Sequence, residues 1–124
     1  MACRVVLVED LNDYRAILQK VLEMDGHEVS AAADGPSGLE LIRSVKPDVA
    51  FIDIGLPGLD GYAMAETLRR EGQTLVLVAL TAYGGDKNKL RAIQAGFDRH
   101  ILKPLLPDER AEILRMAGER STRS

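Results

Sequence analysis

The chain has 124 residues, of which 46% are hydrophobic, and its formal net charge at neutral pH is −3. This length and composition predict one globular domain over residues 1–124, with a single core at about 4–117. No apolar run approaches the roughly 20 residues of a membrane-spanning helix, and the acidic balance offers no general basic surface. We therefore expect no membrane span and no nucleic-acid binding by this chain.

Short apolar runs alternate with amphipathic segments along the chain, which is typical of a parallel sheet with helices on both faces. The predicted strands β1 to β5 cover residues 4–8, 27–32, 49–53, 75–80 and 100–102. The predicted helices α1 to α5 cover about 12–25, 35–45, 61–70, 86–95 and 107–117. The third strand is continuously apolar, which indicates burial on both faces and a central place in the sheet.

Caps and apolar stripes define the predicted helices. Asp34 and Asp60 stand where they can cap α2 and α3. The inner stripe of α1 is predicted to consist of Tyr14, Ile17, Leu18, Val21 and Leu22. Helix α4 has few large apolar residues beyond Leu90 and Ile93, so we expect it to be loosely held. Residues 118–124 are polar and are expected to form a frayed tail.

Polar residues cluster at the predicted strand ends. Strand β1 is followed by Glu9 and Asp10, β3 ends at Asp53, β4 leads to Thr81, and β5 leads to Lys103. In open parallel sheets, ligands bind beyond the carboxyl ends of the strands. Three acids, one hydroxyl and one ammonium are therefore expected to converge at one edge of the sheet.

These groups suit phosphoryl chemistry on a carboxylate. Three carboxylates within about 4 Å would repel by roughly 1 to 4 kcal/mol per pair, and a divalent cation such as Mg²⁺ would offset this. Asp53 would then be the nucleophile, with Lys103 holding negative charge on the transferred group. Each residue alone has a plainer interpretation: a solvated turn for Glu9 and Asp10, a helix start for Thr81, a surface lysine for Lys103. Their occurrence together favours a site.

Four motifs carry a resemblance to a known family: VVLVED, FIDIGLPGLDG, VALTAY and AGFDRHILKPL. In this order and spacing they resemble the receiver domain of two-component response regulators, over residues 5 to about 117. The resemblance implies an α/β fold of the flavodoxin-like receiver type. Its doubly wound, five-stranded parallel sheet would have the order 2-1-3-4-5, with two helices on one face and three on the other.

The resemblance also implies roles for the site residues. Asp53 would accept a phosphoryl group from a sensor histidine kinase or a histidine phosphotransfer protein, with Mg²⁺ or Mn²⁺ as cofactor. Asp10 would bind the metal directly, Glu9 directly or through water, and Gly55 through its backbone carbonyl, together with Asp53. Thr81 and Lys103 would contact the phosphoryl group, and the Lys103-Pro104 bond is expected to be cis. Such a protein is a signalling phosphoacceptor rather than an enzyme with an external substrate.

The implied switch begins with Thr81, which would move towards the phosphoryl group while α4 and β5 repack to signal to a partner through the α4-β5-α5 face. His100 stands where the family usually has a rotating Tyr or Phe. It is either a pH-sensitive switch residue or simply a polar residue on a partly exposed edge strand. Gly55 and Tyr83 occupy positions that tune the lifetime of the acyl phosphate. Arg110 stands where Leu is frequent, which disfavours a familiar dimer on the α4-β5-α5 face.

Two alternative functions would each require residues that this chain does not have. A Mg²⁺-dependent phosphohydrolase that forms an aspartyl phosphate typically has a second Asp two residues after the nucleophile, and here that residue is Gly55. A flavin-binding module would need phosphate donors in the first loop, where Glu9 and Asp10 would repel phosphate. Within the family, the IDIGLPGLDGY and AGFDRHILKP segments most resemble receivers attached to hybrid histidine kinases. The single Cys3 and the absence of a secretory pattern favour a cytoplasmic location.

Overall fold

A computed structural model describes residues 2–82 and 84–122 of the chain, and it contains one parallel sheet with helices on both sides. The strands are β1 (Arg4–Val8), β2 (Glu28–Ala32), β3 (Val49–Asp53), β4 (Val76–Thr81) and β5 (Arg99–Leu102). The helices are α1 (Asn12–Met24), α2 (Gly35–Val45), α3 (Gly61–Arg70), α4 (Asp86–Ala95) and α5 (Pro107–Thr122). The order of the strands is β2-β1-β3-β4-β5, which confirms the predicted topology.

Two apolar layers cover the sheet, one on each face. Helices α1 and α5 pack against one face around Phe51, which is completely buried. Helices α2, α3 and α4 pack against the other face around Ile52, the next residue along β3, which is also completely buried. Successive side chains of a strand point to opposite faces, so a central strand must be apolar throughout. This division confirms the expected two helices on one face and three on the other.

The helix caps formed by aspartate are confirmed. The Asp34 carboxylate accepts the Ser37 backbone N–H at 2.8 Å at the start of α2. The Asp60 carboxylate accepts the Ala63 backbone N–H at 2.8 Å at the start of α3. Each bond satisfies one of the amides that the first turn of a helix leaves without a helical partner. The second cap fixes where the chain turns after β3, the strand that ends in Asp53.

Three predicted core positions are wrong. Ile17 is 62% exposed, and in α4 the two large apolar residues, Leu90 and Ile93, are 56% and 54% exposed. Consecutive helical residues differ by about 100° in direction, and α1 turns Leu18 towards the sheet, so Ile17 faces solvent. Helix α4 instead packs through Ala92, which is completely buried. Alanine allows the helix backbone to approach the sheet closely. A prediction based on the size of apolar side chains therefore chose the exposed face of α4 instead of the packed one.

The predicted end of the last helix is also wrong. Helix α5 continues to Thr122, beyond the expected end at Ala117, so residues 118–122 belong to the helix. Arg120 explains part of the extension, because its guanidinium donates to both carboxylate oxygens of Asp98, at 3.1 and 3.2 Å. Arg123 and Ser124 lie outside the described residues. Within the described part of the chain, every helix is too short or too polar to cross a bilayer.

Candidate functional site

Three carboxylates meet at the carboxyl ends of β1 and β3. One carboxylate oxygen from each of Glu9, Asp10 and Asp53 lies within 4.8 Å of the others. Glu9 is completely buried, Asp53 is 6% exposed, and Asp10 is half-buried at the rim. Strands β1 and β3 are hydrogen-bonded neighbours, with Val8 opposite Ile52, so their carboxyl ends lie side by side. The topology therefore brings together the acids that the sequence placed at successive strand ends.

Lys103 lies among these acids. Its Nζ donates to Glu9 Oε1 at 2.5 Å and lies 3.2 Å from Asp53 Oδ2. Its backbone N–H donates to the Thr81 carbonyl oxygen at 2.8 Å, which holds the end of β5 against the end of β4. The Lys103-Pro104 bond that follows is cis, as expected. The Lys103 side chain is only 14% exposed, so its charge acts in a partly desolvated environment.

The two carboxylate oxygens of Asp53 have different partners. Oδ2 faces the Lys103 ammonium, whereas Oδ1 accepts the Gly55 backbone N–H at 2.9 Å. A β-carbon at Gly55 would lie 3.5 Å from Oδ1, so a side chain there would contact this oxygen. Glycine leaves that space open. The Asp53 carboxylate is thus held from two sides, by the Lys103 ammonium and by the Gly55 amide.

Burial and ion pairing shift the pKa values of the two buried acids, Glu9 and Asp53, in opposite directions. Desolvation raises the pKa of Glu9 to about 7, with a further increase from the adjacent Asp53. Burial alone would also raise the pKa of Asp53, but hydrogen bonds with Glu9 and Gly55 and the nearby Lys103 ammonium lower it. The pKa of Lys103 is raised, because its pairs with Glu9 and Asp53 outweigh its desolvation. Asp53 is therefore the ionised member of this pair at neutral pH.

The two predicted switch residues lie on neighbouring strands. Thr81 is the last residue of β4 and is 4% exposed. His100 lies in β5 opposite Ala79 and is half-buried. Its Nε2 is buried and has no hydrogen-bond partner among the described residues, and burial together with the nearby Lys89 ammonium lowers its pKa. His100 opens onto a cavity of about 380 Å³ between α4 and β5.

One predicted site residue lies outside the described part of the chain, and two residues that contact the site were not predicted from the sequence. Tyr83 lies outside the described residues. Arg15 donates from its guanidinium to the Glu9 carbonyl oxygen at 2.8 Å and braces the acidic loop. Tyr14, predicted only as a core residue, contacts the Lys103 segment. Both residues belong to the first turns of the helix after the acidic pair, and that position was the only signal in the sequence.

The donor set fits a hard divalent cation. Carboxylate oxygens are the ligands that Mg²⁺ and Mn²⁺ prefer, and Mg²⁺ typically uses one or two of them while keeping water or phosphate oxygens at its other positions. Here one oxygen from each of three carboxylates can reach a common point, and Asp10 at the rim leaves access from solvent. The ammonium of Lys103 offsets only part of the negative charge of three carboxylates. The cluster is therefore suited to a cation.

Comparison with known proteins gives a consistent result. The sequence pattern of the family described as the response regulator receiver domain matches residues 5–115. The chain is 34% identical over 121 residues to the transcriptional regulatory protein AfsQ1 of Streptomyces coelicolor, covering 95% of this chain and 53% of that protein. It is 32% identical over 122 residues to the response regulator MprA of Mycolicibacterium vanbaalenii, covering 98% and 53%. The chain thus spans about half the length of the curated relatives it matches.

Solved structures agree with the family match. The receiver domain of the Francisella response regulator 1452 superimposes with a TM-score of 0.89 at 26% identity, covering 96% of this chain and 98% of that one. A CheY-like response regulator receiver domain protein from Methanospirillum hungatei gives a TM-score of 0.89 at 26% identity, and both chains are covered completely, at 100%. The fold is thus the CheY-like, flavodoxin-type arrangement.

Proposed function

Since this chain belongs to the response regulator receiver domain family of two-component signal transduction, we propose that Asp53 accepts a phosphoryl group from a phosphohistidine. The donor would be a sensor histidine kinase or a histidine phosphotransfer protein. The observation that supports this most directly is that the two carboxylate oxygens of Asp53 have different partners: one pairs with the Lys103 ammonium, and the other accepts the Gly55 backbone N–H. This arrangement orients an ionised carboxylate at the carboxyl end of the central strand β3.

The proposed step exchanges one bond to phosphorus for another. An Asp53 carboxylate oxygen attacks the phosphorus of the phosphohistidine, a P–O bond forms, and the P–N bond breaks with its electron pair going to the imidazole nitrogen. Lys103, which already contacts Asp53, neutralises charge on the transferred phosphoryl oxygens. Thr81 would donate its hydroxyl hydrogen to one of those oxygens. Water later hydrolyses the acyl phosphate, with Gly55 and Tyr83 setting its access.

Mg²⁺, or Mn²⁺, is the proposed cofactor. Asp10, Glu9 and Asp53 would hold it through carboxylate oxygens, and Gly55 through its backbone carbonyl. When bound, such a cation lowers the cost of bringing a phosphoryl dianion to a carboxylate, because it neutralises charge on both. Lys103 and the cation would then divide the charge of the phosphoryl group between them.

We propose that the output is conformational. Phosphorylation adds charge and strong acceptors beside Thr81, and the loop after β4, together with α4 and β5, would repack. Helix α4 is suited to this movement because it packs through alanines rather than large side chains. The α4-β5-α5 face would present the change to a downstream protein partner in the cytoplasm. Residues 1–124 would act as a single receiver domain that does not bind nucleic acid itself.

Intact-mass measurement tests the phosphoacceptor. The protein is incubated with Mg²⁺ and a small phosphodonor such as acetyl phosphate, and we expect one added phosphoryl group. Asp53→Asn should gain none. The matched control is Asp60→Asn, because asparagine still caps α3 and Asp60 lies outside the site. An unmodified wild-type protein, or equal labelling of Asp53→Asn, would contradict the proposal.

Hydrolysis of a phosphomonoester distinguishes the proposed function from that of a phosphohydrolase. A Mg²⁺-dependent phosphohydrolase would turn over p-nitrophenyl phosphate many times per protein molecule. A receiver should release no nitrophenol above the Asp53→Asn background, because Gly55 has no side chain that could activate water for repeated hydrolysis of an aspartyl phosphate. Repeated turnover that is lost in Asp53→Asn would favour the phosphohydrolase.

His100 is tested through its titration. Since burial and Lys89 lower the pKa of His100, the side chain is neutral at pH 7 and gains its charge only in more acidic solution. We expect the conformational response to beryllium fluoride and Mg²⁺, followed by NMR, to weaken below about pH 6.5 in the wild type. His100→Tyr should reduce this dependence, and the part that comes from protonation of Glu9, whose pKa is about 7, should remain in both proteins. Identical pH responses in both proteins would exclude His100 from the switch.

A further inference from the structure

Tyr14 of α1 contacts the Lys103 segment at two separate points. Its ring centroid lies 5.3 Å from Lys103 Nζ, within the range of a cation–π contact. Its hydroxyl oxygen accepts the backbone N–H of Leu105 at 3.1 Å. The two contacts lie on either side of the cis Lys103-Pro104 bond. One residue of α1 therefore holds both the side chain of Lys103 and the backbone that follows it.

The backbone contact secures a segment outside regular structure. Strand β5 ends at Leu102 and α5 begins at Pro107, so the residues between them have no ladder or helix to fix them. The Lys103 N–H is held by the Thr81 carbonyl oxygen at 2.8 Å, and the Leu105 N–H by Tyr14. Leu105 itself is buried, so its amide needs a protein partner. The tyrosine hydroxyl meets this need.

The ring contact restricts a flexible side chain. A lysine has four rotatable side-chain bonds, and its ammonium is a compact charge without a preferred direction. In this site the ammonium is bounded by Glu9, by Asp53 and by the Tyr14 ring. Without the ring, the ammonium could swing away from Asp53 towards solvent. An aromatic face attracts the cation without supplying a competing carboxylate.

We propose that Tyr14 is a positioning residue for phosphoryl transfer, which holds the Lys103 ammonium beside Asp53. The proposal rests on the proposed function, because Lys103 matters only if a phosphoryl group arrives. Tyr14 itself touches no reacting atom. Its effect on the rate must therefore act through Lys103, and this requirement distinguishes it from a residue that only stabilises the fold.

Two substitutions separate the contributions of the ring and the hydroxyl. Tyr14→Phe keeps the ring and removes the acceptor of the Leu105 N–H, and we expect a decrease of about 3-fold in the initial rate of phosphorylation. Tyr14→Leu removes both, and we expect about 10-fold or more, since small misplacements of catalytic groups have large effects on rate. The matched control is Tyr62→Phe in α3, which deletes the same hydroxyl away from Lys103 and should leave the rate unchanged.

The decisive test is a double-mutant cycle with Lys103→Met, measured by intact mass with acetyl phosphate and saturating Mg²⁺. If Tyr14 acts through Lys103, Tyr14→Leu should change the rate less than about 2-fold in the Lys103→Met background. The same factor in both backgrounds, or no change of rate in the wild-type background, would overturn the proposal. Thermal unfolding of each variant identifies any that does not fold, and Tyr14→Phe then replaces Tyr14→Leu in the cycle.

A second readout does not depend on phosphorylation. The Tyr14 ring should shift the NMR signals of the Lys103 Hε protons, and this shift should persist in Tyr14→Phe and vanish in Tyr14→Leu. A wild-type protein that accepts no phosphoryl group but shows this pattern would refute the proposed function while retaining the contact. A shift that persists in Tyr14→Leu would refute the positioning role whatever the result of the phosphorylation assay.

Discussion

Replacement of Arg69 by methionine should destabilise the domain more than loss of any surface ion pair. Arg69 lies at the end of α3, and its guanidinium makes four hydrogen bonds. It donates to the backbone carbonyls of Gly96 at 2.9 Å, Gln73 at 2.9 Å and Leu75 at 2.8 Å, and to Asp98 Oδ2 at 2.9 Å. One side chain thus ties α3 to the starts of β4 and β5.

Asp98 extends this connection to the last helix. Its Oδ2 also accepts the Leu77 backbone N–H at 2.9 Å, and both of its oxygens accept from Arg120 in α5. The side chains of Arg69 and Asp98 are 25% and 24% exposed, so the pair is largely removed from water. Arg120 is more exposed, at 41%. Of the two arginines that pair with Asp98, Arg69 is therefore the one that is better shielded from solvent.

The expected loss follows from these contacts. Methionine keeps the packing of the stem and removes all four hydrogen bonds, each with a net value of about 1 kcal/mol. Some of the loss is recovered, because carbonyl oxygens near the rim can bind water and Arg120 remains with Asp98. We expect the free energy of unfolding to fall by about 2 to 3 kcal/mol, out of a total of about 5 to 15 kcal/mol for a domain.

Urea unfolding followed by circular dichroism at pH 7.5 without divalent cations measures this loss. The matched control is Arg43→Met, which removes an arginine paired with Glu71 at the surface, where solvent screens the interaction. Its midpoint should stay within error of the wild type. Arg69→Lys should recover little stability, because an ammonium cannot serve four acceptors in the planar geometry of a guanidinium. An Arg69→Met midpoint equal to that of Arg43→Met would refute the reasoning.

Three further changes test other parts of the structure. A β-carbon in Gly61→Ala would lie 2.7 Å from the Ile54 Cα atom, so we expect a loss of about 1 to 3 kcal/mol in urea unfolding and slower phosphorylation; wild-type values for both would contradict this. The Nδ1 atom of His27 accepts the Cys3 backbone N–H at 3.0 Å, and burial lowers the pKa of His27. On acidification, His27 is therefore protonated in the unfolded chain before it is protonated in the folded chain. The contribution of His27 to the free energy of unfolding should thus be lost as the pH falls through about 6.5, so the difference in stability between the wild type and His27→Gln should shrink from pH 7.5 to 5.5. A difference that stays constant over this range would contradict the prediction. Asp60→Ala should lose about 1 kcal/mol of unfolding free energy, and Asp60→Asn almost none, because asparagine also caps the helix.

Much of the fold follows from local patterns in the sequence. Continuous apolar runs such as residues 49–53 predicted central strands, and Asp34 and Asp60 predicted helix starts, because these signals depend only on neighbouring residues. The predictions for Ile17 and Leu90 were wrong. Both lie on helices whose direction towards the sheet is set by the packed partner, and a local apolar pattern does not contain that direction.

The site divides in the same way. Local sequence patterns were enough to predict which groups stand at the strand ends, namely Glu9, Asp10, Asp53 and Lys103, because parallel strands place their carboxyl ends at one edge of the sheet. The packing of the whole domain, in contrast, buries Glu9 completely, hydrogen-bonds it to Lys103 and places the Tyr14 ring beside the same ammonium. Glu9 and Lys103 are 94 positions apart in the chain. Contacts at such a separation form only when the whole sheet and its helices have packed, so no local pattern encodes them.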